Sequence, residues 1–302
     1  MNKRHKYYLL TLTALLIAAL LGSCSIREDN TDCPRPFRLF IKALDADGKD
    51  ITDEDMLNEV ILFVFNEKQE IVDVLIVPAT PFRNRQPVSI ALDYPGHQSL
   101  TFVAWGNVDN KVEFPQHASV KEWNQLYAKL KEQNGNAQSP GALFYGNLTV
   151  PVEYGGIEPA GDQTVEITHR TAQVTVTAIN LKHWNGNQEG EYTYRLRDSH
   201  DTVDKDGNHT GEMSHCMPEA NMINGTLHAP IFNVFPHAQR KAHTLEILFN
   251  GEVIYTAQAG TDGTPFVTEP GKLLNIIIDF RAELSVKAVI TPWNVVYQFV
   301  EI

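Results

Sequence analysis

Val60-Ile61-Leu62-Phe63-Val64-Phe65, then Asn66-Glu67-Lys68-Gln69-Glu70, then Ile71-Val72-Asp73-Val74-Leu75-Ile76-Val77 is the stretch that decides the fold. Two short apolar runs, rich in β-branched and aromatic residues, flank a polar link. That pattern is a hairpin deep in a sandwich. Upstream, Phe37, Leu39, Ile41 and Ala43 alternate, and Asp45-Ala46-Asp47-Gly48 supplies a turn. Downstream, Leu100 to Trp105 is a strand of the same kind, entered from Pro95-Gly96 and left through Gly106-Asn107. Thr244 to Phe249, Asn250-Gly251 and Glu252 to Thr256 form the strongest hairpin signal, because Asn-Gly tolerates the positive φ values of a type I′ turn. Leu273 to Phe280 and Leu284 to Val296 finish the chain.

One helix is expected inside this β pattern. Ser119 with Glu122 reads as a capping box, Trp123, Leu126, Tyr127 and Leu130 form one apolar stripe, and Asn134-Gly135 ends it. A shorter helix over Glu54 to Glu59, capped by Thr52, fits the local sequence. Glu153 to Asp162, rich in Gly and Pro, reads as a linker. Beyond it Val165, Ile167 and His169 share one alternation, while Ala172, Val174, Val176 and Ala178 share the other. That change of parity predicts a bulge, or a strand that switches sheets near Arg170. Residues 198–228 are polar and Gly-rich, as a long surface excursion would be. The expected fold is all-β, with β-sandwich domains over residues 34–152 and 163–302 and the one inserted helix.

The N-terminus carries a different signal. Lys3, Arg4 and Lys6 precede an uncharged apolar run from Tyr7 to Leu21, too short for a comfortable membrane-spanning helix. Leu21-Gly22-Ser23-Cys24 then reads as a lipobox. The expectation is that residues 1–23 are a signal peptide and that the mature chain starts at lipidated Cys24; an ordinary signal with a chance cysteine is the alternative. The leash 24–33 is polar and acidic. The remaining 279 residues (302 less 23) suit two domains. Losing three basic residues moves the formal charge from −12 to −15, which argues against nucleic-acid binding. No cofactor is expected beyond the covalent lipid on Cys24. Cys33 and Cys216 remain as a possible disulfide or as two unpaired thiols.

The chain holds no Gly-x-Ser-x-Gly, HExxH, P-loop or dinucleotide fingerprint. The runs Asp45–Asp50 and Asp204–Asn208 look calcium-like, but lack the Gly and Glu spacing of a helix-loop-helix site and read as turns. His200, His209, His215 and Cys216 are close in sequence without zinc-ligand spacing. No enzymatic activity is expected.

Several pieces occur in an order that resembles one family. The lipobox is followed by Asp32-Cys33-Pro34, the Val60–Phe65 run ending in Asn66-Glu67, then Phe102-Val103-Ala104-Trp105-Gly106-Asn107, and later His169-Arg170-Thr171-Ala172-Gln173-Val174. Together these resemble the FimB-type minor fimbrial anchor subunits of Bacteroidales, lipoproteins of type V fimbriae, over roughly residues 24–300. The resemblance implies two transthyretin-like β-sandwich domains, and a lipid-anchored, surface-exposed outer-membrane protein that anchors a fimbrium or regulates its assembly. The acidic residues behind Cys24 also resemble the surface-export signal of Bacteroidetes lipoproteins, with Arg27 interrupting the match. The implied partner is a pilin, joined by strand exchange.

An anchor that lost its first strand after an Arg would lose its lipid too, so it is expected to act only as strand donor. The donor candidate is the tail from Trp293, with Val295, Tyr297 and Phe299 on one parity; Pro292 marks where it could depart. The alternative is a tail that closes its own domain. Two further roles stay open: a glycan-binding surface lipoprotein with a platform of Trp184, Tyr192 and Tyr194, and a tip adhesin.

Overall fold

The computed structural model describes residues 32–90, 96–281 and 284–297. Cys24, the signal region and Phe299 lie outside the described residues. Strands in the first half are β1 (Phe37–Leu44), β2 (Glu59–Asn66), β3 (Ile71–Pro78), β4 (Val88–Ile90), β5 (Ser99–Gly106), β6 (Val112–Glu113), β7 (Ala128–Leu130), β8 (Glu132–Gln133), β9 (Asn136–Ala137), β10 (Phe144–Pro151) and β11 (Asp162–His169). Those of the second half are β12 (Ala172–Ile179), β13 (Tyr192–Val203), β14 (His209–Cys216), β15 (Asn221–Ile223), β16 (Thr226–Val234), β17 (Thr244–Phe249), β18 (Glu252–Ala257), β19 (Lys272–Asp279) and β20 (Ser285–Pro292). Two short helices, α1 (Ala79–Arg83) and α2 (Leu181–Trp184), accompany them.

The first sheet runs β3-β2-β5-β10-β11-β1-β4. Its two faces explain the Val60–Phe65 run. Val60, Leu62 and Val64 enter one core with Phe37, Leu39, Phe102, Phe144 and Ile167. Ile61, Phe63 and Phe65 enter a second core with Trp105, Tyr145, Leu126, Ala128 and Leu130. A strand covered on both faces loses the polar alternation of a half-exposed one. The third core lies between the sheet β15-β16-β12-β19-β20 and the sheet β18-β17-β13-β7-β6.

That last sheet joins the halves, because β6 and β7 come from the first half yet pair alongside β13. Here the expected helix over 119–134 is overturned. The segment forms two single 3₁₀ turns, His117–Ser119 and Trp123–Gln125, then β7 and the β8–β9 hairpin. Leu126, Ala128 and Leu130 are buried at every second position, which serves the back of the first sheet where a helical stripe would not. Asn134-Gly135, with φ of 53° and 77°, makes the hairpin turn rather than a helix end. The short helix expected over Glu54 to Glu59 is also absent. Its intended cap, Thr52, donates instead to Asp50 Oδ1 and accepts from the Ala43 amide, tying the chain to the end of β1.

The change of parity near Arg170 is a strand that switches sheets. β11 runs parallel to β1 in the first sheet, and β12 runs parallel to β19 in the second half. Residues 153–162, expected to link the halves, therefore run back along the start of β1 and lead into a first-sheet strand. The crossing falls at Arg170-Thr171. Residues 198–228 are not a surface excursion: β13 extends to Val203 and pairs with β14, and Ser199, His200 and Asp201 are buried. The Asn250-Gly251 turn and its hairpin stand as expected.

Gly146 shows how tightly β10 and β11 meet where they diverge. A Cβ there would stand 2.0 Å from the Glu166 carbonyl oxygen. Backbone cannot yield as a side-chain end can, so Gly146→Ala is expected to lose about 3 kcal/mol, read as a lower urea midpoint at unchanged slope.

Candidate functional site

The site is the root of the C-terminal tail, where the last strand meets the seam between the halves. β20 pairs with β19 up to Pro292, opposite Lys272, and the ladder stops there. Val295 N donates to the Pro292 carbonyl oxygen at 3.0 Å, and Thr291 Oγ1 donates to the Val295 carbonyl oxygen, so the backbone turns out of the sheet. Asn294 takes a left-handed φ of 60°.

Two amide side chains in otherwise apolar strands hold this turn. Gln173 on β12, buried, donates through Nε2 to Asn294 Oδ1 at 2.7 Å and accepts the Asn294 amide at 2.7 Å. Asn275 on β19, 1% exposed, accepts the Tyr297 amide at 2.9 Å and donates to the Val289 carbonyl oxygen and Thr291 Oγ1. Each bonded amide secures the tail without adding a ladder pair.

Trp293 completes the root. Its ring centroid lies 4.3 Å from that of His169, which in turn lies 4.1 Å from that of Phe144. His169 is the last residue of β11, is buried, and has no hydrogen-bond partner on either ring nitrogen. Burial pushes it down to about 4, against the opposing pull of Asp45. Beside Trp293 a cavity of about 180 Å³ separates the halves, lined by Asp45, Asp47, Lys49, Glu54 and Lys272 among others. Lys272 bridges it to Asp47 at 3.3 Å. Outward from the root, Val295, Val296 and Tyr297 are exposed large apolar side chains.

Of the expected donor residues, Trp293 is turned inward onto His169, while Val295 and Tyr297 are exposed. Gln173, Asn275 and His169 were not expected to hold the tail. A lone amide within Leu-Leu-Asn-Ile-Ile-Ile was the available signal.

The other expected sites do not assemble. Cys216 is a free thiol packed in the third core, where burial pushes it up to about 12, while Cys33 is exposed in the first half. The structure thus holds Cys216 in a core and Cys33 at the surface. The aromatic platform fails for a similar reason. Tyr192 and Tyr194 point into the sandwich, with Tyr194 Oη donating to the Leu227 carbonyl oxygen, and only Trp184 is exposed. Asp45 and Asp204 each accept two amides of their own turns through Oδ1, as turn residues do.

Sheets packed around three cores, with a tail led out of the last sheet, define the class: an all-β sandwich protein. The chain belongs to the family of fimbrillin-A associated anchor proteins Mfa1 and Mfa2, whose model matches residues 30–299. It is 39% identical over 302 residues to the major fimbrium anchoring subunit FimB of Porphyromonas gingivalis strain W83, covering 98% of both chains. Among solved structures it resembles the fimbrial anchor protein Mfa2 of Porphyromonas gingivalis, at 15% identity and a TM-score of 0.62, over 86% of this chain and 98% of that one. A Bacteroides thetaiotaomicron protein, provisionally described as polysaccharide-binding, superposes with a TM-score of 0.65 at 14% identity, over 86% of this chain and 96% of its own. No catalytic family is among these descriptions.

Proposed function

We propose that this chain anchors a fimbrium to the outer membrane, held by lipid on Cys24 and joined to a pilin by donating its tail as a strand. The structural observation that carries the reading is the behaviour of the tail at Pro292. Residues 293–297 leave their own sheet and are held by side chains, so the segment beyond the root is not needed to complete the ladder of β20. An extended peptide with apolar residues of alternating parity suits insertion into a partner's groove, where main-chain bonds give strength and side-chain pockets give specificity. The relatives' described role supports the same reading, as does a lipobox that leaves one route to the membrane.

The test is a pull-down of the tagged protein from outer membranes, separated without boiling and read by mass spectrometry. The expected result is a detergent-resistant ladder containing a second, pilin-like subunit. Cys24→Ala is expected to shift the protein out of the membrane fraction while leaving it folded. A membrane-bound Cys24→Ala protein would sink the lipid reading, and a protein that always runs alone would sink the pilin partnership.

A further inference from the structure

The segment between β10 and β11 does more than connect them. Arg35 N donates to the Glu153 carbonyl oxygen at 2.8 Å, Gly155 N to that of Cys33 at 3.1 Å, and Ala160 N to that of Pro36 at 3.1 Å. Pro34 bridges to Tyr154, whose hydroxyl donates to the His97 carbonyl oxygen and accepts the Gly96 amide. The Arg35 guanidinium lies under the same loop, bonded to Glu153 Oε2 at 2.8 Å and to the carbonyl oxygens of Glu158 at 3.0 Å and Pro159 at 3.2 Å. Residues 153–160 thus lie across the chain as it arrives at β1.

We propose that this strap is a retaining clasp, which keeps the N-terminal segment seated and shields the arginines that follow it from proteolysis. The purpose assigned to it rests on the anchor reading, in which the chain keeps its first strand and acts only as strand donor. The chemistry is local. An arginine-specific protease must take the Arg side chain into its own acidic pocket and bind the substrate extended. At Arg35 the guanidinium is already held by three oxygens, and the next residue, Pro36, has no N–H and a fixed φ. Arg38 comes next. It lies in β1 between Asp162 of β11 and Ser89 of β4, with an ion pair to Asp162 at 3.2 Å. Cleavage after Arg38 requires the start of β1 to leave both neighbours, and the clasp is what blocks that opening at its free end.

The experiment is native-state proteolysis of the detergent-solubilised full chain with an arginine-specific protease, with fragments identified by mass. Arg240, in the loop between β16 and β17 with a side chain 70% exposed, is the internal control. In the double variant Arg35→Gln, Glu153→Gln, cleavage after Arg38 is expected to accelerate at least about tenfold, the scale of losing one of the three charge-assisted hydrogen bonds of Arg35, while cleavage after Arg240 is unchanged. A milder variant, Gly155→Ala, strains a residue at φ 82° and is expected to fall in between. Equal Arg38 rates in parent and variants would overturn the proposal. So would acceleration at Arg38 and Arg240 together, which is general loosening. No pilin is present in the assay, so failure of the clasp and failure of the anchor reading are separate results.

Discussion

Deleting residues 293–302 is expected to abolish pilin capture while both sandwiches stay folded. The two effects separate because of where the ladder ends. All of β20 lies upstream of Trp293, and its pairing with β19 is complete at Pro292. Among the described residues, the deletion removes the Trp293–His169 stack, the bonds to Gln173 and Asn275, and the turn bonds of Val295 to Thr291 and Pro292. An aromatic pair adds about 1 kcal/mol beyond its buried area, and a net hydrogen bond about as much. The sum is a fraction of the stability of ordinary domains, so the thermal midpoint should drop by several degrees without loss of the cooperative transition.

Capture, in the proposed function, rests on the main-chain bonds and side-chain pockets that the tail would find in its partner. The ladder seen without boiling should vanish in the truncated protein. Val295→Asp with Tyr297→Asp keeps the chain length and should also lose the ladder, since a charge is not tolerated in an apolar groove. A truncated protein that unfolds would mean that the tail closes its own domain. A ladder that persists would place the pilin contact elsewhere, and binding on a glycan panel would then be the next measurement.

The second large effect is loss of stability in mild acid. Burial pushes His169, His209 and His243 each down to about 4. In the unfolded chain the same side chains titrate near 6.5, so between those values the unfolded state binds more protons. Stability is therefore full above about pH 6.5 and falls continuously towards pH 4, below which these groups contribute no further change. Each histidine accounts for about 3 kcal/mol over that window at 1.36 kcal/mol per pH unit, and the three together rival the whole stability of a domain. The physical obstacle differs among them. His243 is bonded to the Arg197 carbonyl oxygen and Thr268 Oγ1, and His209 donates to the Arg170 carbonyl oxygen, whereas neither ring nitrogen of His169, packed on the rings of Phe144 and Trp293, has a hydrogen-bond partner. Urea midpoints measured from pH 7.5 to 4.5 should fall steeply in the parent. In His169→Phe, which keeps the stack, the slope should drop by about a third. A flat profile in the parent would contradict this account.

Much of the β architecture was legible because burial writes itself into sequence with period two. Phe37, Leu39, Ile41 and Ala43 read as one face and are one face. The error over Ser119–Asn134 shows the limit of that reading. Trp123, Leu126, Tyr127 and Leu130 fit a helical stripe, but Leu126, Ala128 and Leu130 fit a strand equally well. What decided between them was the bare back of β2 and β5, a demand no local window contains. Tyr192 and Tyr194 were ambiguous in the same way, since an aromatic alternation does not say which face the neighbouring sheet will cover. The tail's departure at Pro292 was visible, because proline cannot donate to a ladder. Its holders were not, because Gln173 and Asn275 lie more than a hundred and about twenty residues away from their partners in the tail.

The parallel pairing of β1 with β11 has a mechanical consequence. Tension applied at the N-terminal end of the chain and at its tail would enter at the start of β1 and leave near His169, at the far end of β11, where Trp293 lies. Strands paired in parallel and drawn from opposite ends must slide past each other, so the bonds along Arg38–Leu44 and Asp162–Thr168 resist together. β20 is the contrary case. Drawn from Pro292, it would peel from β19 one pair at a time, beginning where the tail is rooted. The stack on His169 and the bonds from Gln173 and Asn275 hold the tail residues just beyond that first pair, so the weakest direction of pull meets its reinforcement before the zipper can start.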